Sequence, residues 1–186
     1  MAGQGSSTGP RLHFLEVLTP VVLLAVLGIF ALPNYLGFRP RADLRQTVAA
    51  VHELLEAARE ASAARGIARL RFDPAKRLVV LEVGEARDPA AELELPRTVQ
   101  FGYGYGSGIS PFPLLLDDGR NLAATEDGVS FDDNAVGFRG GILMGYPGLI
   151  YLRTDRGDAE ALFVRITGGI ESYEWNGQGW RRSTDS

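Results

Sequence analysis

The chain has 186 residues and a net charge of −4, with 45% apolar and 23% charged residues, which is the composition of a folded domain rather than of a disordered chain. The negative net charge disfavours nucleic-acid binding through the overall electrostatic field. The sequence contains no Cys and only two His, His13 and His52, which excludes disulfides, thiolate chemistry and a His-based metal site or triad.

The N-terminal region contains an apolar segment long enough to cross a membrane. Residues 17–32 carry no charge, and the mostly apolar stretch extends from Leu12 to Phe38. A membrane-spanning helix needs about 20 predominantly apolar residues. A cleaved secretory signal peptide is the alternative, but no A-x-A-like cleavage site follows the apolar residues. We therefore expect a leader in residues 1–11 and a retained transmembrane helix in residues 12–38.

Two residues of this segment are unusual for a plain membrane anchor. Glu16 lies near its start, where an ionised carboxylate costs about 3 kcal/mol on insertion scales. Pro33 lies near its end, where it removes a helix hydrogen bond or kinks the helix. With Leu12 four residues before Glu16, and Pro33 seventeen after it, the segment resembles the N-terminus of type IV pilins and type II secretion pseudopilins. The resemblance implies that Leu12 is the mature N-terminus, that Pro33 is the kink residue, and that Glu16 pairs with a neighbouring subunit's N-terminal amine during assembly.

The charges around the segment depart from the pilin pattern in two ways. Arg11 occupies the position where the family has Gly before the cleavage point, and a side chain there is expected to hinder the close backbone approach that prepilin peptidase needs. Arg39, Arg41 and Arg45 outnumber Arg11, so the positive-inside rule alone would place the C-terminal part in the cytoplasm. The resemblance implies the opposite orientation, a single-pass inner-membrane protein with a periplasmic C-terminal domain.

An amphipathic helix is predicted to follow in residues 39–66. Its apolar positions recur at spacings of four, three, four and three residues, and they are Leu44, Val48, Val51, Leu55 and Ala58. Gly66 is expected to cap the C-terminal end. His52 lies on this helix without a second His, and we interpret it as a surface or groove histidine rather than a catalytic or metal-binding residue.

The remainder, residues 67–186, is predicted to form a β-rich head. The candidate strands are Ile67–Phe72, Leu78–Val83, Thr98–Tyr103, Val129–Asp132, Leu149–Thr154, Leu162–Thr167 and Ile170–Trp175. Turn residues at 73–77, 155–158 and 168–169 separate several of them. Because the strands follow the helix without alternating with further helices, the predicted fold class is α+β with an antiparallel sheet.

Three stretches of the head extend the resemblance to the GspH/FimT family. AREASAARG followed by ARLRFDPAKR is similar to the family's helix and first hairpin, GVSFDDNAVGFRGG to its late strand and turn, and LFVRITGGIESYEW to its closing hairpin. The resemblance implies a pilin-like fold in which a long N-terminal helix packs on the head. It also implies a minor pseudopilin whose partners are other pseudopilin or pilin subunits, the inner-membrane assembly platform and prepilin peptidase.

Acidic pairs at residues 117–118 and 132–133 offer oxygen ligands of the kind that calcium prefers. Neither pair has the spaced acidic loop with a closing Glu, so we interpret both as turns, together with the Arg-Gly-Asp at residues 156–158. No cofactor motif and no catalytic constellation is recognised, so we do not expect an enzyme. The long connection Gly104–Asp127 is a conceivable partner contact.

The C-terminal residues Trp180, Arg181 and Arg182 combine an aromatic ring with two cations, which could stack on single-stranded DNA. FimT-like minor pilins carry a basic G-R-x-R element in the closing hairpin, whereas residues 168–171 here read GGIE. We therefore favour a disordered basic tail and expect no nucleic-acid partner. A minor type IV pilin in pilus assembly or DNA uptake, and a membrane-anchored binding module or enzyme, are the alternatives.

Overall fold

The structure is a computed structural model, and it describes residues 39–103, 108–109 and 127–183. The predicted leader, the predicted transmembrane helix and most of the connection Gly104–Asp127 lie outside these residues. The chain divides into the units Met1–Arg39 and Pro40–Ser186, and the description below concerns the second. Within the described ranges, no helix is both long and apolar enough to span a membrane.

Helix α1 covers residues 39–65 of the described chain. The predicted apolar stripe is confirmed, because Leu44, Val48, Val51, Leu55 and Ala58 are all buried. Gly66 ends the helix as predicted: its φ is 90°, a conformation that side chains disfavour, and its amide donates to the Ser62 carbonyl oxygen at 2.9 Å. The burial of each Val or Leu of the stripe contributes about 1.5–3 kcal/mol, so packing rather than helix propensity stabilises α1.

The head contains two five-stranded antiparallel sheets. Sheet A has the order β3-β2-β1-β5-β6, and sheet B has the order β10-β9-β8-β7-β4. The strands are β1 Ile67–Asp73, β2 Leu78–Val83, β3 Asp88–Glu94, β4 Val99–Phe101, β5 Ala135–Arg139, β6 Ile142–Met144, β7 Gly148–Thr154, β8 Ala159–Val164, β9 Ile170–Trp175 and β10 Trp180–Arg182. The fold is therefore α+β as predicted, but with two sheets in place of one.

One hydrophobic core joins the buried face of α1 to one face of each sheet. Side chains alternate along each strand, so Leu162 and Val164 of β8 enter this core while Ala159 and Ala161 lie on the opposite face of sheet B. Two polar contacts also fix α1: the Thr98 hydroxyl donates to Asp43 Oδ2 at 2.7 Å, and the Gly141 amide donates to Ser62 Oγ at 2.9 Å.

Several predicted strands differ from the observed ones. The strand predicted at Val129–Asp132 is wrong: Val129 forms only an isolated bridge to Ile150, and a 3-10 turn occupies Asp132–Asn134. Directly after the predicted segment, Asp133 and Asn134 have φ values of 56° and 50°, which turn the chain before strand β5. The strand predicted at Leu162–Thr167 begins earlier and stops at Val164, because residues 165–169 form the next turn. Four further strands, β3, β5, β6 and β10, were not predicted.

Candidate functional site

Two arginines of α1 are directed towards strand β9 of sheet B. Arg41 and Arg45 are four residues apart and therefore lie on the same side of the helix. The Arg41 guanidinium donates to Glu174 Oε1 at 2.6 Å, and the Arg45 guanidinium lies 3.7 Å from the same oxygen. Both arginine side chains are more than half exposed, so these contacts order the site more than they stabilise the fold.

Glu174 lies directly opposite Glu160 in the β8–β9 pair, and the two residues are Cα partners in the register. Opposite residues of an antiparallel pair project to the same face, here the face that packs on α1. Two carboxylates thus lie side by side, an arrangement that is destabilising when both are ionised. Glu174 is neutralised by the arginines, whereas no hydrogen bond or ion pair to Glu160 occurs among the described residues.

The Glu160 side chain is the most perturbed acid of the described structure. The residue is only 9% exposed, and its pKa is raised to about 7. Burial is the main cause, and the negative charges of Glu174 and Asp158 add to it, while Arg45 and Arg41 act in the opposite direction. Glu160 therefore changes its charge close to neutral pH.

A groove of about 380 Å³ opens at this carboxyl group, between α1 and sheet B. Its charged lining is Arg45, Glu53, Glu160 and Glu174. Val48 and Ala49 provide apolar lining, and Ser172 and Ser183 provide hydroxyl groups. His52 also lines the groove, which confirms its interpretation as a groove histidine. The described residues contain no group of three or more His, Cys, Asp or Glu arranged to hold a metal ion.

A second charged cluster lies on the opposite face of sheet B. Glu171 is 9% exposed, accepts a hydrogen bond from the Tyr173 hydroxyl at 2.9 Å, and pairs with Arg165 at 2.6 Å and Arg182 at 3.0 Å. The carboxylate has partners on every side, and these contacts make the cluster a structural tie between neighbouring strands.

The prediction of a disordered C-terminal tail is wrong for residues 180–182, because they form strand β10 against β9. The Trp180 ring packs edge-on against Trp175 and against Tyr151, each with ring centroids 5.6 Å apart. Aromatic packing of this kind is worth about 0.5–1.5 kcal/mol per pair beyond area burial, and it anchors the segment that the charge pattern suggested was loose.

The structure does not describe the residues to which the sequence assigned assembly and processing. Glu16, Pro33, Arg11 and Leu12 lie outside the described residues, as does the acidic pair at 117–118. The acidic pair at 132–133 lies in the 3-10 turn, and residues 156–158 form the predicted β7–β8 turn, closed by the Thr154 amide donating to the Asp158 carbonyl oxygen at 2.9 Å.

Sequence reasoning missed Glu160, Glu174 and Arg41 as members of one site. A weak signal was available for Glu160, since it is the one charge in the otherwise apolar stretch AEALFV. Its pairing with Glu174 depends on the strand register, which the local sequence does not display.

These observations define the class of the chain as an α+β protein with one helix packed on two antiparallel sheets. No protein-family model and no curated protein matches the sequence. Among solved structures, the chain is similar to the minor pseudopilin EpsH from the Type 2 Secretion System of Vibrio cholerae, with a TM-score of 0.46 and 10% sequence identity. The similarity covers 70% of this chain and 95% of that chain.

Proposed function

We propose that this protein is a structural minor pseudopilin of a type II secretion-like filament, which serves protein secretion across the outer membrane. The observation that carries the proposal is the N-terminal pattern of Leu12, Glu16 and Pro33 within an apolar segment, followed at once by helix α1. The proposal includes a single-pass inner-membrane location, a periplasmic head, and no catalysis. Its partners are other pseudopilin subunits and the inner-membrane assembly platform.

The packing of α1 supports this role. A filament subunit needs a helix that is held firmly by its head, and α1 meets this need because its apolar stripe is buried in the head's core. The opposite side of the helix carries exposed polar, charged and small residues, among them Gln46, Ala57 and Glu60. A neighbouring subunit would have access to that side.

The alternative of a minor type IV pilin with a role in DNA uptake receives less support. Trp175 and Trp180 form an aromatic pair on sheet B, and Arg182 follows Trp180 in strand β10, which are side-chain types that a stacking site for single-stranded DNA would use. However, Arg165 and Arg182 both pair with Glu171, so part of their positive charge is already offset within the protein.

The assembly role of Glu16 can be tested by replacing it with Gln, which keeps the shape but removes the charge. We expect Glu16→Gln to insert in the membrane and to fold its head, yet to form several-fold fewer cross-links to other pilin-like subunits in native membranes. The reason is that an ionised carboxylate in an apolar helix needs a positive partner, here a neighbour's N-terminal amine. Val22→Leu leaves the charge in place and should assemble normally. Undiminished cross-linking of Glu16→Gln would refute the charge-pairing mechanism.

That pairing requires a free amine near Leu12, and therefore cleavage after Arg11. Mass spectrometry of the protein from its native membrane identifies the N-terminal residue directly. A chain that starts at Leu12 supports prepilin peptidase as a partner. An intact terminus at Met1 or Ala2 would mean that Arg11 blocks cleavage, and Arg11→Gly should then restore it.

A further inference from the structure

The groove between α1 and sheet B contains a buried carboxyl group that the fold leaves without a partner. Glu160 is 9% exposed and lines the groove, and its carboxyl group makes no hydrogen bond or ion pair with any part of the chain that the structure describes. Its oxygens are not among the described side-chain atoms that are wholly buried without a partner, so they open onto the groove, where an unpaired charge beside Glu174 is still costly. A protein that merely needed to fill this position could have used an apolar residue, as it does at Leu162 two residues along β8.

The cations near Glu160 are engaged by its neighbour. From α1, the facing charged or titratable groups are Arg41, Arg45, His52 and Glu53. From β9 it is Glu174, from β10 it is Arg181, the Cα partner of Glu174, and from the β7–β8 turn it is Asp158. Arg41 and Arg45 both reach the same oxygen of Glu174, which leaves Glu160 with only long-range attraction to them. Carboxylates therefore predominate in the described lining.

The size and chemistry of the groove define what would complement it. Its volume of about 380 Å³ is many times the roughly 30 Å³ that a water molecule occupies in the liquid. The lining combines three carboxylates, among them Glu160, with two serine hydroxyls, His52, the apolar side chains of Val48 and Ala49, and the Arg45 guanidinium, which lies 3.7 Å from Glu174. An arginine side chain matches this combination, because its aliphatic stem packs on apolar surface while its planar guanidinium donates several hydrogen bonds to a carboxylate.

We propose that this groove is a docking site for an arginine side chain of a partner protein, with the Glu160 carboxylate as its acceptor. The partner's guanidinium supplies the positive charge that Glu160 lacks, and Ser172 and Ser183 accept its remaining N–H groups. The proposal rests on the groove and its charges, and it holds whether the partner is a filament subunit or another protein.

Binding of a cation at the Glu160 carboxylate is coupled to the loss of the proton that this group carries at low pH. The guanidinium binds the ionised form, whereas burial raises the pKa of Glu160 to about 7. At pH 5.5 most molecules must therefore lose a proton before they bind, and at pH 8 most are ready to bind. The affinity should rise about tenfold or more between these two pH values.

The test uses the full chain in nonionic detergent micelles, labelled with ¹³C at the glutamate side-chain carboxyls. The probe is N-acetyl-arginine N-methylamide, and N-acetyl-citrulline N-methylamide is its uncharged isostere. The Glu160 resonance is identified by its disappearance in Glu160→Gln. At pH 8 and constant ionic strength, the arginine probe should shift this resonance saturably, the citrulline probe should not, and binding should weaken about tenfold at pH 5.5.

Three results would overturn the proposal: equal shifts with both probes, no shift of the Glu160 resonance with the arginine probe at pH 8, or a saturable shift with calcium chloride alone. Glu92→Gln is the matched control, because it makes the same substitution at an exposed position of β3, outside the groove, and it should leave binding unchanged. If Glu160→Gln failed to fold, Glu160→Asp, which also removes the labelled glutamate, would identify the resonance, and the pH comparison and the contrast between the two probes in the wild-type chain would still decide.

Discussion

Replacing Glu160 with Gln is expected to stabilise the protein at pH 8 and to change little at pH 5. Glu160 is buried beside Glu174 without a direct partner, so its ionised form is disfavoured in the folded state. Gln has the shape of the protonated acid and never acquires the charge. At pH 8 the folded wild-type protein must either ionise Glu160 in the groove or keep it protonated at a pH where a free Glu is ionised. Both cost free energy, and the substitution removes that cost.

The size of the expected change in stability follows from the shift in the pKa of Glu160. The folded-state pKa of about 7 exceeds the reference value of 4.5, so the folded protein binds the proton more tightly than the unfolded chain. Stability that depends on this proton is present at low pH and is lost as the pH rises from about 4.5 to about 7. At about 1.36 kcal/mol per pH unit the full loss is about 3 kcal/mol, and we expect about half of it because water in the groove screens the charge.

The assay is urea unfolding of the full chain in nonionic micelles, followed by tryptophan fluorescence. Both tryptophans of the chain, Trp175 and Trp180, lie on sheet B, so the signal reports unfolding of the head. At pH 8 the free energy of unfolding of Glu160→Gln should exceed that of the wild type. This excess should be about 1–2 kcal/mol larger at pH 8 than at pH 5. Glu92→Gln, at an exposed position, should stay within about 0.5 kcal/mol of the wild type at both pH values. A difference that is the same at pH 5 and pH 8 would refute the reasoning.

Three further predictions concern the packing of the head. Gly168→Ala should destabilise it by more than about 2 kcal/mol, because the φ of Gly168 is 83° and an added Cβ would lie 2.5 Å from the Gly141 carbonyl oxygen. Gly169→Ala is its control and should be tolerated, since the atoms nearest to an added Cβ are 3.8 Å away. Equal thermal denaturation midpoints of the two variants would contradict this prediction. Ser62→Ala should cost about 1–3 kcal/mol in urea unfolding, because the Gly141 amide loses its buried acceptor, and an unchanged midpoint would contradict it. A fragment of residues 39–186 should be soluble and show mixed helix and sheet by circular dichroism, since the stripe of α1 is buried by the head itself; a molten product would argue against this.

The sequence predicts those parts of the fold that local spacing determines. The stripe of α1, the Gly66 cap and the hairpin of β1 and β2 follow from periodicity and turn chemistry within a few residues. Strand β3 could not be recognised in this way, because its sequence DPAAELE contains charges and a Pro. The Pro is tolerated because β3 is an edge strand of sheet A, where Pro is compatible with strand pairing.

The candidate site depends on contacts between residues distant in the sequence. Glu160 and Glu174 meet only because β8 and β9 adopt one register, and Arg41 reaches Glu174 from a helix 133 residues earlier. A shift of one residue would have turned either carboxylate to the other face of the sheet. Likewise, the basic C-terminal residues alone predict a disordered tail, because the sequence does not show that Trp180 packs on Tyr151.

The central claim, that the chain is a filament subunit, is tested most directly by cross-linking from the exposed side of α1. The chain has no Cys, so Ala57→Cys places a unique thiol at an exposed position of the helix, and Glu92→Cys places one on sheet A as a comparison. A thiol-reactive photo-cross-linker in living cells, followed by mass spectrometry, identifies the neighbours. The account predicts that Ala57→Cys is joined to subunits whose N-terminal apolar helix carries a Glu, as this chain does at Glu16. Adducts that contain no such subunit would contradict it.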